Sequence, residues 1–377
     1  MKEHIMSTRQ VGILVFFIML STKILYLPSL FFKDVGTNAL LAMTLALLLD
    51  FLLLIFVYKF SKNNPGISLY DFIKKHTFNW IAKIVYLFIF AFLAIKLILV
   101  LNASFVYVRD SFFTQMKNYL FLVVVLFVCN FMTVCPSRAM ARTVEFFYPA
   151  TFLGIILTLY LGLTSNIFQL PNTNWYADFS NIFSSNFKYL AFIGDALVIA
   201  LLNDNIKYDK NYRKNIFKYG FLAIISCFLL YFVYFGLVSF MAPSHISAAQ
   251  DITQFTDFND DIGRLDFFSS VIYLIVSLLQ CGIYFRYCIK TLVKIFPEKY
   301  QNWEQVIFNI ILVVALYTIF DSNEKTIFIA TNYINYLTLS VAYILPVFLS
   351  FFSHSNYKKR VNKKQKKPNG DAYEKVN

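Results

Sequence analysis

Apolar runs of about 20 residues recur from one end of this chain to the other, long enough as helices to cross the hydrocarbon core of a bilayer. A segment in lipid must satisfy its backbone hydrogen bonds internally, so only helices and closed barrels can span it. Runs of this length suit helices. Composition agrees: of 377 residues, 58% are hydrophobic and 15% charged, whereas a soluble domain carries roughly 25% charged residues. The expected fold class is an all-α integral membrane protein with ten transmembrane helices.

The expected spans are 10–31, 39–58, 83–107, 119–135, 144–163, 187–203, 216–242, 265–292, 306–320 and 330–351. They form one membrane domain over 10–352, with a short N-terminus at 1–9 and a basic, disordered tail at 353–377. Basic residues set the orientation. Twenty-five of the 34 lysines and arginines fall on the side of the two termini, six fall on the other side, and Lys23, Lys96 and Arg286 lie within spans. By the positive-inside rule both termini are cytoplasmic. A cysteine at Asn259 is therefore expected to react with an impermeant thiol reagent from outside, and one at Asn211 is not. Reverse labelling would overturn the orientation.

The net charge of +13 is concentrated in the tail, at Lys358, Lys359, Arg360, Lys363, Lys364, Lys366 and Lys367. Next to the last span such a cluster favours anionic lipid, at about 1 kcal/mol per charge near the surface, and calls for no nucleic acid. Segment 68–80 has apolar residues at Leu69, Phe72, Ile73 and Trp80, which suits a short helix on the inner surface. Segment 243–264 carries Asp251, Asp257, Asp260 and Asp261 and reads as an outer lid or a solvated connector.

Four ionisable residues fall deep within spans: Lys23, Asp50, Lys96 and Asp195. A charge at the centre of a membrane helix costs about 2.5–3.5 kcal/mol on insertion scales, so such groups pair, face the bundle interior or line a wet cavity. Asp195 follows Gly194, where a glycine lets a helix unwind. The pair reads either as part of a ligand or ion site, or as an internal partner for Lys23 or Lys96. Span one has a parallel irregularity in Ser21, Thr22, Lys23 and Pro28; the proline removes a backbone hydrogen bond and kinks or ends the helix. Breaks in the first and sixth of ten spans occupy equivalent places in two five-span halves, and an odd number of spans inverts the second half. That is the pattern of an inverted repeat with a midplane site.

No nucleophile elbow, phosphate loop or metal spacing is present, and His4, His76, His245 and His354 are scattered through termini and loops. Cys129, Cys135, Cys227, Cys281 and Cys288 lie in or at the ends of apolar segments without metal-ligand spacing. Neither an enzyme, nor a cofactor, nor a metal is expected.

Three stretches carry a family resemblance: Ser7-Thr-Arg-Gln10 leading to Ile24-Leu-Tyr-Leu-Pro28, Phe192-Ile-Gly-Asp195, and Arg264-Leu-Asp-Phe-Phe268 followed by a span with Tyr284 and Tyr287. The chain resembles the B subunits of GerA-type spore germinant receptors, within the amino acid/polyamine/organocation transporter superfamily. The resemblance implies a five-plus-five inverted repeat with helices 1 and 6 broken. It implies a small germinant, usually an amino acid, bound near those breaks by Ser21, Thr22, Lys23, Gly194 and Asp195. It also implies a larger A subunit and a C lipoprotein as partners in the spore inner membrane. Related transporters commonly have glycine where Ser21-Thr22-Lys23 stands here. An amino acid permease of the same fold is the alternative.

Overall fold

The computed structural model describes residues 5–113, 118–165, 168–171, 179–238, 252, 265–296, 303–318 and 322–353. Segment 243–264, except for buried Ile252, and the tail beyond 353 lie outside them. Among the described residues the regular structure is helical, and one isolated bridge joins Met6 to Ile206.

The first expected span is two helices, α1 (Thr8–Leu25) and α2 (Leu27–Val35). Pro28 does not end the span. It lies in the first turn of α2, where a missing N–H costs nothing and the fixed φ suits helix. The interruption falls upstream at Tyr26, because Pro28 has no N–H to donate to the carbonyl four residues earlier. Helix α3 (Ala39–Asn63) runs through Asp50, and α5 (Asn79–Ser111) runs through Lys96.

Between them, α4 (Leu69–His76) is capped by Ser68, whose Oγ accepts from the Asp71 amide at 3.1 Å. Leu69, Tyr70, Phe72 and Ile73 are buried. The expected helix over 68–80 stops short, because Thr77 is extended and Trp80 belongs to the first turn of α5, where it is exposed.

Helices α6 (Asn118–Val134) and α7 (Ser137–Thr164) follow. Around the sixth expected span, 187–203, the described chain is at its most irregular. This region consists of α8 (Phe179–Lys188), a 3-10 turn over Leu190–Phe192, a non-helical Ile193–Gly194 step, α9 (Leu197–Leu201) and a second 3-10 turn over Asn203–Asn205. The long helices α10 (Tyr212–Val238) and α11 (Leu265–Ile295) follow, then the short α12 (Glu304–Thr318). The last helix, α13 (Asn323–Ser353), starts seven residues before the expected span and contains wide π-helical turns at Ala330–Ile334 and Leu339–Ile344.

Among the described residues, seven helices are long and apolar enough to cross a membrane, with Leu27–Asn63 counted as one; two more apolar helices are shorter. Apart from exposed Arg9, the described side chains of helix α1 are buried, and it packs against α10, α7, α11 and α5. Helices α6 and α12 present Val123, Phe127, Phe131, Ile310, Ile311 and Val314 outward. A helix that is apolar all round belongs inside a bundle, and outward apolar faces belong in lipid. The chain is a multi-pass membrane protein.

Candidate functional site

The four ionisable residues within spans meet at one place, where the interrupted spans face each other. Lys23 stands in the last turn of α1, Asp50 in mid-α3, Lys96 in mid-α5, and Asp195 just after Gly194; none is more than 1% exposed. Lys23 Nζ lies 2.6 Å from Asp50 Oδ2 and 2.7 Å from Asp195 Oδ2, and donates to the Met19 carbonyl at 2.9 Å. Its contact with Asp50 Oδ2 is ionic rather than an aligned hydrogen bond, and that oxygen has no other partner among the described residues. Lys96 Nζ lies 2.8 Å from Asp195 Oδ1.

The same side chains complete the broken backbone. Ile193 is extended, Gly194 has φ +87°, and the helical ladder is interrupted. Lys96 Nζ donates to the Ile193 carbonyl at 2.7 Å, and the Gly194 amide donates to Asp50 Oδ1 at 2.9 Å. Buried backbone groups must find partners, and here charged side chains supply them. Two ammoniums and two carboxylates sum to zero, so the cluster holds no net charge in a medium where net charge is costly.

Further polar groups surround it. Tyr284 on α11 donates to Asp195 Oδ1 at 2.6 Å, and Gln280, one turn earlier, donates to the Ile18 carbonyl at 2.9 Å. Asn335 on α13 accepts from the Ala191 amide at 3.2 Å and donates to the Lys188 carbonyl at 2.7 Å. Gln280 and Asn335 escaped the sequence reading. Their only signal there is a buried amide side chain in an otherwise apolar run, with Gln280 and Tyr284 four residues apart on one helix face.

Contacts close the region on both sides. Toward α2 and α8, Lys188 pairs with Asp34 at 2.7 Å, Tyr189 donates to the Leu30 carbonyl at 3.2 Å, and Tyr26 sets its ring edge-on to Phe192. At the opposite end, the Met6 amide donates to the Asn205 carbonyl at 2.8 Å, and Thr8 donates to Asp209 at 2.9 Å. Both links join the start of the first interrupted span to the segment that follows α9.

Of the residues singled out in the sequence, Lys23, Asp50, Lys96, Gly194 and Asp195 are brought together. Pro28 stands just beyond the Tyr26 interruption, in α2. Ser21 and Thr22 have helical backbone in α1, but their side chains lie outside the described residues. Gly194 is packed closely: a Cβ there would sit 2.8 Å from Ala342 Cβ and 3.3 Å from a Tyr343 ring carbon.

The fold is similar to that of a manganese transporter from Eremococcus coleocola. In its complex with an aromatic bis-isothiourea substituted compound, the TM-score is 0.52 at 12% identity, covering 93% of this chain and 86% of that one. For a mutant of the same transporter, the TM-score is 0.51 at 12% identity, covering 97% and 88%. At this identity the likeness speaks for the fold alone. No curated protein matches the sequence. The family of spore germination proteins matches residues 5–327, nearly the whole membrane region, and the chain belongs to that family.

Proposed function

We propose that the chain is the germinant-binding B subunit of a spore germination receptor, taking a small amino-acid-like metabolite where the two interrupted spans meet. The reading includes ten transmembrane helices in a five-plus-five inverted repeat, with the spans broken at Tyr26 and Gly194 as the first and sixth. It includes placement in the spore inner membrane, and a receptor A subunit and a C lipoprotein as partners. The observation that carries it is the neutral cluster of two ammoniums and two carboxylates at paired backbone breaks. A zwitterion adds no net charge there. Its ammonium takes the place of Lys23 against Asp195, and its carboxylate takes Lys23 in turn. Such an exchange must open one ion pair between α1 and the Gly194 segment, which couples binding to movement of the two broken spans. Ser21, Thr22, Lys23, Gly194 and Asp195 are the proposed ligand residues.

The test is germination of spores across a concentration series of each common amino acid, with variants matched for membrane abundance. Tyr284→Phe removes a hydrogen bond to a carboxylate while keeping all four charges. Such bonds contribute about 1.5–3 kcal/mol, so the midpoint for the effective germinant is expected to shift about tenfold or more. Unshifted midpoints for both Tyr284→Phe and Asp195→Asn would move the site elsewhere. The same fold also admits a second reading, an amino acid permease. Robust accumulation of labelled amino acid in cells expressing this chain alone would select it.

A further inference from the structure

A second polar site lies at the C-terminal end of α11, on the side of the molecule rich in lysine and arginine. Arg286, Lys290 and Lys294 follow at four-residue intervals, and all three line one cavity of about 270 Å³, with Tyr287 beside them and Asp204 also in the lining. Arg286 is only 5% exposed. Its Nη1 donates to the carbonyls of Met132 at 2.7 Å, Thr133 at 3.3 Å and Cys135, and its Nη2 donates to Ser137 Oγ at 3.0 Å. Every one of these acceptors is neutral. Among the described residues, no carboxylate lies within 4.0 Å of Arg286, Lys290 or Lys294.

The charges are therefore incompletely compensated. The carbonyl end of α6 supplies roughly half a negative charge to Arg286. Against three cations the cavity offers the single carboxylate of Asp204, which already accepts from the Asn205 side chain. Like charges four residues apart on a helix repel rather than support each other. Two buried polar atoms on the lining residues, Arg286 Nε and the Tyr287 hydroxyl oxygen, have no hydrogen-bond partner among the described residues. Buried donors without partners in a cavity with excess positive charge point to an anionic ligand.

We propose that this cavity binds a phosphate group, held by Arg286, Lys290 and Lys294 with the Tyr287 hydroxyl as a further donor. Several cationic donors suit a tetrahedral dianion or diester, and Leu201 and Val293 in the lining suit the apolar part of an ester. Two sources share this chemistry, the headgroup of an anionic phospholipid and a soluble phosphate; basic pockets between membrane helices serve headgroups in this way. The site is separate from the central cluster. It lies one turn along α11 from Tyr284, which holds Asp195, so an occupant braces the helix that carries that contact.

The experiment uses the full-length protein, purified in detergent and stripped of lipid, with thermal unfolding as the readout. Dioleoylphosphatidylglycerol is compared with dioleoylphosphatidylcholine, and inorganic phosphate with chloride at equal ionic strength. The variants are Lys290→Gln combined with Lys294→Gln, and Tyr287→Phe. Arg286 is left intact because it also caps α6. A saturable rise in the unfolding temperature is expected for the wild type, with half-saturation moved about tenfold or more upward in the double lysine variant. A response to phosphatidylglycerol alone assigns the headgroup, and a response to inorganic phosphate assigns the soluble ligand. The proposal fails if neither probe stabilises the wild type beyond its control. It fails equally if the wild type and the double variant respond alike, since the basic tail common to both would then account for the effect.

Discussion

Replacing Lys23 by methionine is expected to cost about 3–5 kcal/mol of stability, the range for removing one member of a buried ion pair. Both carboxylates lose an ammonium, but not equally. Asp195 keeps Lys96 at 2.8 Å and the Tyr284 hydroxyl at 2.6 Å. Asp50 keeps only the Gly194 amide among its described partners. The stranded charge is thus mainly that of Asp50, and coupling should be strongest between Lys23 and Asp50. In a double-mutant cycle, Lys23→Met with Asp50→Asn should be milder than the sum of the single changes by about 2 kcal/mol, within the range seen for residues in contact. Lys23→Met with Asp195→Asn should also fall short of additivity, but by less, because Asp195→Asn strands Lys96 as well. Unfolding of the solubilised protein by titrated dodecyl sulfate measures each corner. Strict additivity in both cycles would reject direct coupling.

Gly194→Ala is expected to destabilise the protein by about 2–5 kcal/mol, from two sources that can be separated. A side chain at φ +87° costs roughly 1–2 kcal/mol. The new methyl would stand 2.8 Å from Ala342 Cβ, and overpacking of this kind typically costs about 1–3 kcal/mol. Adding Ala342→Gly removes the nearest clash and leaves the backbone strain. The pair should therefore recover roughly half of the loss beyond what Ala342→Gly costs alone. Full recovery would show that the backbone tolerates alanine there, and no recovery would show that α13 already yields. The close packing also changes the meaning of larger substitutions. Gly194→Leu would push against Ala342 and Tyr343, so a lost germination response in that variant reports on packing as well as on ligand space.

The candidate site was legible to a definite depth. Lys23, Asp50, Lys96 and Asp195 stood out because charge within an apolar run is expensive, and expense implies a partner or a function. Gly194 next to Asp195 marked the interruption, since the left-handed region is open to glycine at little cost. The short Ser68-capped helix was visible from its apolar spacing, though its end at Thr77 was not. Pro28 signalled a break without placing it. A proline after an apolar run reads equally as the end of one helix or the first turn of the next, and only the position of Tyr26 distinguishes them.

What the sequence determined by itself was the solvent and the secondary structure: recurrent apolar runs demand lipid, and lipid demands helices. The asymmetry of lysine and arginine determined the expected orientation. Which charge meets which was decided by the tertiary structure, because Lys23 and Asp195 are 172 residues apart and no local periodicity encodes a contact at that distance. The same holds for Asn335, which serves the backbone of a segment 144 residues away. It holds for the cavity beside Arg286 too, where a helix end, a loop and one face of α11 converge. Local propensity acts over a few residues, whereas a buried charge is satisfied by whatever the packed bundle places within 3 Å of it.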